Sequence, residues 1–180
     1  MLTTDNTVLM LVDYQGRLAE VMHNEKELHD NITKLVKGVN LLGVPVIWVE
    51  QYPKGLGETV ENIQKLLREN NEPIAKMDFS ACEHNEVQSL MEEYDRKNFI
   101  LAGIEAHVCV YQTVKQLLQG KKHVEFIQDC ISSRREENKE IAIEKMKMLG
   151  AQPTSVEMVL FELMGTAEHP NFREISSLIK

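Results

Sequence analysis

The chain reads as an α/β protein: helices on both faces of a mostly parallel, roughly six-stranded sheet, a three-layer α/β/α sandwich of Rossmann-like character. Three observations predict this. Short apolar runs alternate with longer amphipathic stretches along the whole chain. The runs Val8–Val12 and Phe99–Ala102 are apolar at every position, as buried strands are. Glycines at 43, 120 and 150 close the helical stretches.

Taken in order, Val8 to Val12 is the first strand and ends at Asp13. A helix over Glu25 to Leu42 follows from the stripe Leu28, Ile32, Leu35, Val36 and Val39. Val44 to Val49 is the second strand. Gln51 to Glu58, rich in Gly, Pro and charge, is a loop at its end. Thr59 to Glu69 is helical through Val60, Ile63, Leu66 and Leu67, and Asn85 to Glu93 forms a short helix. The strand at Phe99 runs into a helix that carries Val108, Val110, Val114, Leu117 and Leu118 and ends at Gly120. His123 to Ile127 is a strand. Arg135 to Leu149 is a helix with Ile141, Ala142, Met148 and Leu149 on one side. An extended piece at Gln152–Thr154 precedes helices near Ser155–Met164 and Asn171–Ile179. No repeat, low-complexity tract or linker interrupts residues 1–180, so a single domain is expected.

Composition limits the function classes. With 43% hydrophobic and 27% charged residues, the chain has the make-up of an ordinary globule. A formal net charge of −8 argues against a nucleic-acid surface and against anionic membranes. The three cysteines, Cys82, Cys109 and Cys130, form no C-x-x-C pair, and an odd count does not make a disulfide framework. A reducing compartment and a cytoplasmic location are expected, since Val8–Val12 is too short for a signal sequence or a membrane span.

Cys109 is the first functional candidate. It sits where a buried strand turns into a helix, in the first helical turn. Unpaired N–H groups and the positive dipole end there favour a thiolate, so its pKa is expected to be depressed. Ligand sites of open α/β sheets also lie at the carboxyl ends of strands. A small buried cysteine is the plainer reading. Asp13, at the end of an apolar strand, serves equally as a turn residue or as a base. Lys76, inside the largely apolar Pro73–Ala81, either snorkels to the surface or lowers a neighbouring thiol's pKa. Nucleophile, base and orienting cation are the parts covalent acyl transfer needs.

Six segments in order resemble the isochorismatase-like cysteine hydrolase superfamily over essentially the full length. They are Leu11-Val12-Asp13-Tyr14-Gln15, Glu50 to Gly57, Lys76-Met77-Asp78-Phe79-Ser80, Gly103 to Val110, Asp129 to Arg134 and Ser155 to Leu163. The Glu50–Gly57 loop and the Ser132-Ser133-Arg134 segment look most like the small isochorismatase-domain-containing proteins. This resemblance implies a catalytic triad of Asp13, Lys76 and Cys109. It implies a cis Ile104–Glu105 peptide and an oxyanion hole made by the backbone N–H groups of Glu105 and Cys109. Gln15, Gln51, Tyr52, Phe79 and His107 are candidate substrate contacts. Ala106 stands where the family often has Thr or Ser. A homo-oligomer is implied as well, for which the Met- and Leu-rich surface near Met158–Met164 offers an interface.

The implied reaction is hydrolysis of a small carbonyl compound, most simply an amide, through a thioester and without metal or organic cofactor. Nicotinamidases of this superfamily carry an Asp-x-His where Glu50-Gln51-Tyr52 stands, and no histidine lies between Glu50 and Lys76. The histidines show no H-x-x-x-H spacing. A thiol phosphatase would need Arg six residues after its cysteine, where Lys115 or Glu136 stands, and neither G-x-G-x-x-G nor a P-loop occurs. The rival readings are a non-catalytic interaction protein, a redox sensor at Cys109, and a vinyl ether hydrolase acting on isochorismate.

Overall fold

A computed structural model describes residues 1–68 and 71–180. β1 (Thr7–Val12) leads through α1 (Gly16–Glu20) and α2 (Glu25–Leu41) to β2 (Val46–Gln51). Next come α3 (Pro53–Leu56), α4 (Glu61–Leu67), β3 (Ile74–Lys76) and α5 (Asn85–Tyr94). β4 (Asn98–Ile104) is followed by a turn of π-helix (Ala106–Val110) that runs directly into α6 (Tyr111–Gln119). The chain ends with β5 (His123–Ser132), α7 (Glu136–Met148), β6 (Gln152–Thr154), α8 (Val156–Met164) and α9 (Phe172–Ile179).

The sheet has six strands in the order β3-β2-β1-β4-β5-β6, and every neighbouring pair is parallel. Parallel strands need crossover helices, which cover both faces and make the strands apolar throughout. On one face Leu9, Leu11, Ile100 and Ile104 pack with Ile32 and Val36 of α2, Ile63 of α4 and Leu160 of α8. On the other, Val8, Met10, Phe99 and Leu101 pack with Val87 of α5, Val114 of α6 and Met146 of α7. The sheet therefore separates two hydrophobic layers, as the predicted sandwich requires.

Several elements differ from the expectation. β3 was not expected, because three residues are too few to show a pattern. α3 is a single helical turn inside the Gln51–Glu58 segment expected to be loop, and α1 is a short helix in a stretch for which the sequence shows no pattern. β5 extends to Ser132, past the predicted end at Ile127, through a bulge containing the polar Gln128 and Asp129. The expected face of α7 is right only at Ala142. Ala142 and Met146, four apart, meet the core, whereas Ile141, Met148 and Leu149 are exposed. The predicted helix end at Glu69 lies outside the described residues.

Candidate active site

In this strand order the chain reverses direction across the sheet between β1 and β4, and open α/β sheets bind ligands at such a switch point. Asp13 directly follows β1, Gln51 ends β2, Lys76 ends β3, and Cys109 lies just beyond β4. Four adjacent strands thus deliver their carboxyl ends to one place. Asp13 holds a left-handed φ of 52°, which Asp tolerates better than most residues and which turns the chain sharply out of β1.

Close approach of β1 and β4 depends on Gly103. It pairs with Val12 and has φ +127°, and a Cβ there would lie 1.9 Å from the Val12 carbonyl oxygen. The next peptide but one, Ile104–Glu105, is cis, as the resemblance implied. Beyond it, the Val108 and Val110 N–H groups both donate to the Glu105 carbonyl, at 3.0 and 3.3 Å, winding the chain into the π-turn that carries Cys109.

Asp13, Lys76 and Cys109 come together and are almost sealed, at 1%, 1% and 6% exposure. Lys76 Nζ donates to Asp13 Oδ2 at 2.8 Å and to Gln51 Oε1 at 2.7 Å. The carbonyl oxygens of Asp78 and Phe79 lie 3.2 Å from the same nitrogen. This lysine is therefore a buried, fully engaged cation and does not snorkel. Asp13 Oδ1 is different: it is buried without a hydrogen-bond partner among the described residues. The Cys109 thiol couples to this carboxyl, and its Sγ also lies 3.9 Å from Gln51 Oε1.

The thiol is not depressed. Burial, reinforced by the Asp13 carboxylate, pushes Cys109 up to about 12, and Lys76 only partly opposes this. The expected low pKa is thus corrected: the helix start is there, but desolvation and a neighbouring carboxylate outweigh it. Asp13 is itself raised by burial, against the pull of Lys76. The resting site holds a neutral thiol beside a carboxyl with one open oxygen.

The candidate substrate contacts separate. Gln51 stands between Lys76 and Cys109, and its Nε2 is tied to the Met77 carbonyl at 2.7 Å. Tyr52 and Phe79 are about half exposed at the site's edge. Phe79 and His107 line a cavity of about 750 Å³ with Met77, Tyr111 and Lys115. His107 is held by Ser133 Oγ at 2.9 Å. Gln15 is placed differently from the expectation. It is fully buried, its Oε1 accepts the Gln51 N–H at 2.6 Å, and its Nε2 donates to the Gln51 carbonyl at 3.1 Å. It fastens the loop after β2 rather than facing a ligand.

Supporting residues were missed in the sequence. Thr113 Oγ1 donates to the Cys109 carbonyl at 2.7 Å and accepts the Ala81 N–H at 3.0 Å, joining the cysteine helix to the segment after Lys76. Glu105 accepts from the Arg134 N–H and Nε, both at 3.2 Å. Glu50 accepts from the Thr59 N–H and hydroxyl at 2.6 and 2.7 Å. A carboxylate next to an apolar run, as at Glu50, was the one available sign. Among the described residues no group of three or more His, Cys, Asp or Glu side chains is arranged to hold a metal ion.

Fold and site together define a parallel α/β protein with an acid, a lysine and a cysteine buried at the switch point. Comparison with known proteins assigns the family: residues 7–158 match the Isochorismatase domain, and the chain belongs to the isochorismatase family. It is similar to isochorismatase domain-containing protein 2 of Danio rerio, 34% identical over 178 residues, covering 99% of this chain and 89% of the relative. Isochorismatase family protein 1A of Dictyostelium discoideum is 33% identical over 180 residues, covering 98% and 87%. Among solved structures, the Mar1 ribonuclease of Caenorhabditis elegans superposes with a TM-score of 0.93 at 34% identity, covering 99% of this chain and 91% of that one.

Proposed function

We propose that this protein is a cysteine hydrolase of a small carbonyl compound, an amide in the first instance, with Cys109 as nucleophile, Asp13 as general base and acid, and Lys76 as the orienting cation. The observation that carries this reading is the division of labour within one carboxyl group. Oδ2 is held by Lys76, Oδ1 is buried without a hydrogen-bond partner among the described residues, and the carboxyl's charge acts on the neighbouring thiol. As Cys109 Sγ attacks the carbonyl carbon, its proton passes to Asp13 Oδ1. The carbonyl oxygen becomes an oxyanion, received by the N–H groups of Glu105 and Cys109. Collapse breaks the C–N bond, and the amine leaves with the proton from Asp13. Water then gives a proton to Asp13 and adds to the thioester. Collapse of that adduct releases the acid and returns the proton to Cys109. The steps close without metal or cofactor.

A neutral resting thiol suits this sequence, because the thiolate need exist only at the moment of attack. Gln51, Tyr52, Phe79 and His107 are the proposed substrate contacts, and the cavity lined by Phe79 and His107, which the buried Asp13, Lys76 and Cys109 do not themselves line, is the proposed approach. Isochorismate is expected to be a poor substrate, since vinyl ether hydrolysis by protonation and water addition has no use for a thiol. RNA is the rival that the name of the C. elegans neighbour raises, and the net charge of −8 weighs against it. We further propose a cytoplasmic homo-oligomer. Its three cysteines are free and buried, and no helix among the described residues is long and apolar enough to cross a membrane. The interface expected near Met158–Met164 is corrected, because Leu160, Leu163 and Met164 are buried in the core and, of the Met and Leu side chains there, leave only Met158 exposed.

The test is a screen of small amides, carbamates, isochorismate and short RNA against wild type and Cys109→Ala. Expected is turnover of an amide or carbamate that Cys109→Ala abolishes, with an acyl adduct on Cys109 seen by mass spectrometry. Isochorismate or RNA turnover that survives Cys109→Ala would overturn the assignment.

A further inference from the structure

A separate cavity of about 480 Å³ opens at the carboxyl ends of β5 and β6, and Asp13, Lys76 and Cys109 take no part in it. The bulge in β5 helps to build it. Leu101 pairs with Phe126 and Gly103 with Ile131, so Ala102 alone stands opposite Ile127, Gln128, Asp129 and Cys130. The surplus residues bring Gln128 and Asp129 to the cavity wall. Glu27 from α2 and Lys139 from α7 line it too.

These charges are placed together but not joined. Lys139 feels Glu27, Asp129 and Glu136, yet it forms no salt bridge among the described residues. Burial lowers the pKa of Lys139 and raises that of Asp129, which marks both as charges short of solvation. The Asp129 carboxylate accepts the Val156 N–H at the head of α8, at 3.1 and 3.3 Å. Thr154, a lining residue only 5% exposed, has a hydroxyl with no partner. Met158, which is exposed, gives the same cavity an apolar side, and Leu28 and Ile131 border it from within the core.

We propose that this cavity is a second binding site, for a small zwitterion of the α-amino acid class with an apolar side chain. Its carboxylate pairs with Lys139, and its ammonium group with Glu27 and Asp129. A simple anion would meet two carboxylates, and a simple cation would meet Lys139. Only a ligand carrying both signs completes the set. The apolar side chain lies against Met158. This site is independent of the hydrolase reading.

The experiment is calorimetric titration of the intact protein with L-phenylalanine, 3-phenylpropanoate and 2-phenylethylamine. The last two compounds each lack one of the charges. Expected is millimolar or tighter binding of L-phenylalanine, with each single-charge analogue weaker by at least about tenfold. Lys139→Gln and Glu27→Gln should each weaken L-phenylalanine by about tenfold, while Cys109→Ala leaves it unchanged. No binding of L-phenylalanine at millimolar concentration would overturn the proposal. So would equal binding of either analogue, or loss of binding in Cys109→Ala. The analogue comparison uses wild type alone, so it decides even where a variant fails to fold.

Discussion

The Asp13 carboxyl sets the behaviour of its neighbours. Its negative charge is one of the causes that raise the Cys109 thiol to about 12. Iodoacetamide should therefore modify Cys109 slowly at neutral pH, with a rate still climbing above pH 9. Asp13→Asn removes the charge, so alkylation of Cys109 should become faster while hydrolysis falls by about 10²–10⁴-fold for want of a proton acceptor. Peptide mapping across pH reads the first effect and turnover of the screened amide the second. Fast alkylation of the wild-type thiol at pH 7 would contradict the burial argument. Lys76 poses a different question, of stability. Removing it as Lys76→Met strands a buried carboxylate, which typically costs about 3–5 kcal/mol. Since Asp13 is already raised by burial, it should take up a proton in this variant. Urea unfolding should then show the penalty shrinking as pH falls.

At the level of elements, the site depends on how tightly β1 and β4 approach each other. Gly103 permits that approach, because a Cβ would meet backbone on the neighbouring strand, which cannot rotate away. Gly103→Ala is expected to destabilise by about 3 kcal/mol or more. The residual folded protein should be inactive, since Asp13 and Cys109 hang from the two strands being pushed apart. A denaturant midpoint close to wild type would refute this. Elements of this kind differ in how plainly the sequence announces them. β1 and β4 were legible because burial on both faces leaves an unbroken apolar run. α2 was legible because seventeen residues repeat their stripe several times. β3 has three residues and one of them is Lys76, so no period could show. The tail of β5 was hidden because its bulge turns Gln128 and Asp129 away from the core. Of the site, the resemblance supplied Asp13, Lys76 and Cys109. The fastening role of Gln15 and the Arg134–Glu105 pairing depend on contacts between residues about thirty apart, which no local pattern encodes.

Across the whole molecule, buried acidic groups give the stability a definite pH dependence. All three thiols are raised by burial from an ordinary value of 9.0: Cys82 to about 11, Cys109 to about 12 and Cys130 well above 9.0. Above pH 9 the unfolded chain loses these protons while the folded protein keeps them. The unfolded state then binds fewer protons, so stability falls as pH rises, by about 1.4 kcal/mol per pH unit for each thiol. Lys139 acts in the opposite sense. Its pKa is lowered from 10.5, so between the lowered value and 10.5 the unfolded chain holds a proton that the folded one has lost, and stability rises with pH there. One such group offsets one thiol over part of the range and leaves the other two. Tyr14, raised from 10.0 chiefly by burial, adds to the loss at still higher pH. The formal net charge of −8 grows more negative on the same side and strains the compact state further. Urea midpoints measured from pH 8 to about pH 10.5 should therefore decline steeply above 9. Replacing both Cys82 and Cys130 with Ala should flatten that decline by about two-thirds of the thiol contribution, whatever it does to the stability at pH 8. An unchanged slope in the double variant would show that the thiols are not its source.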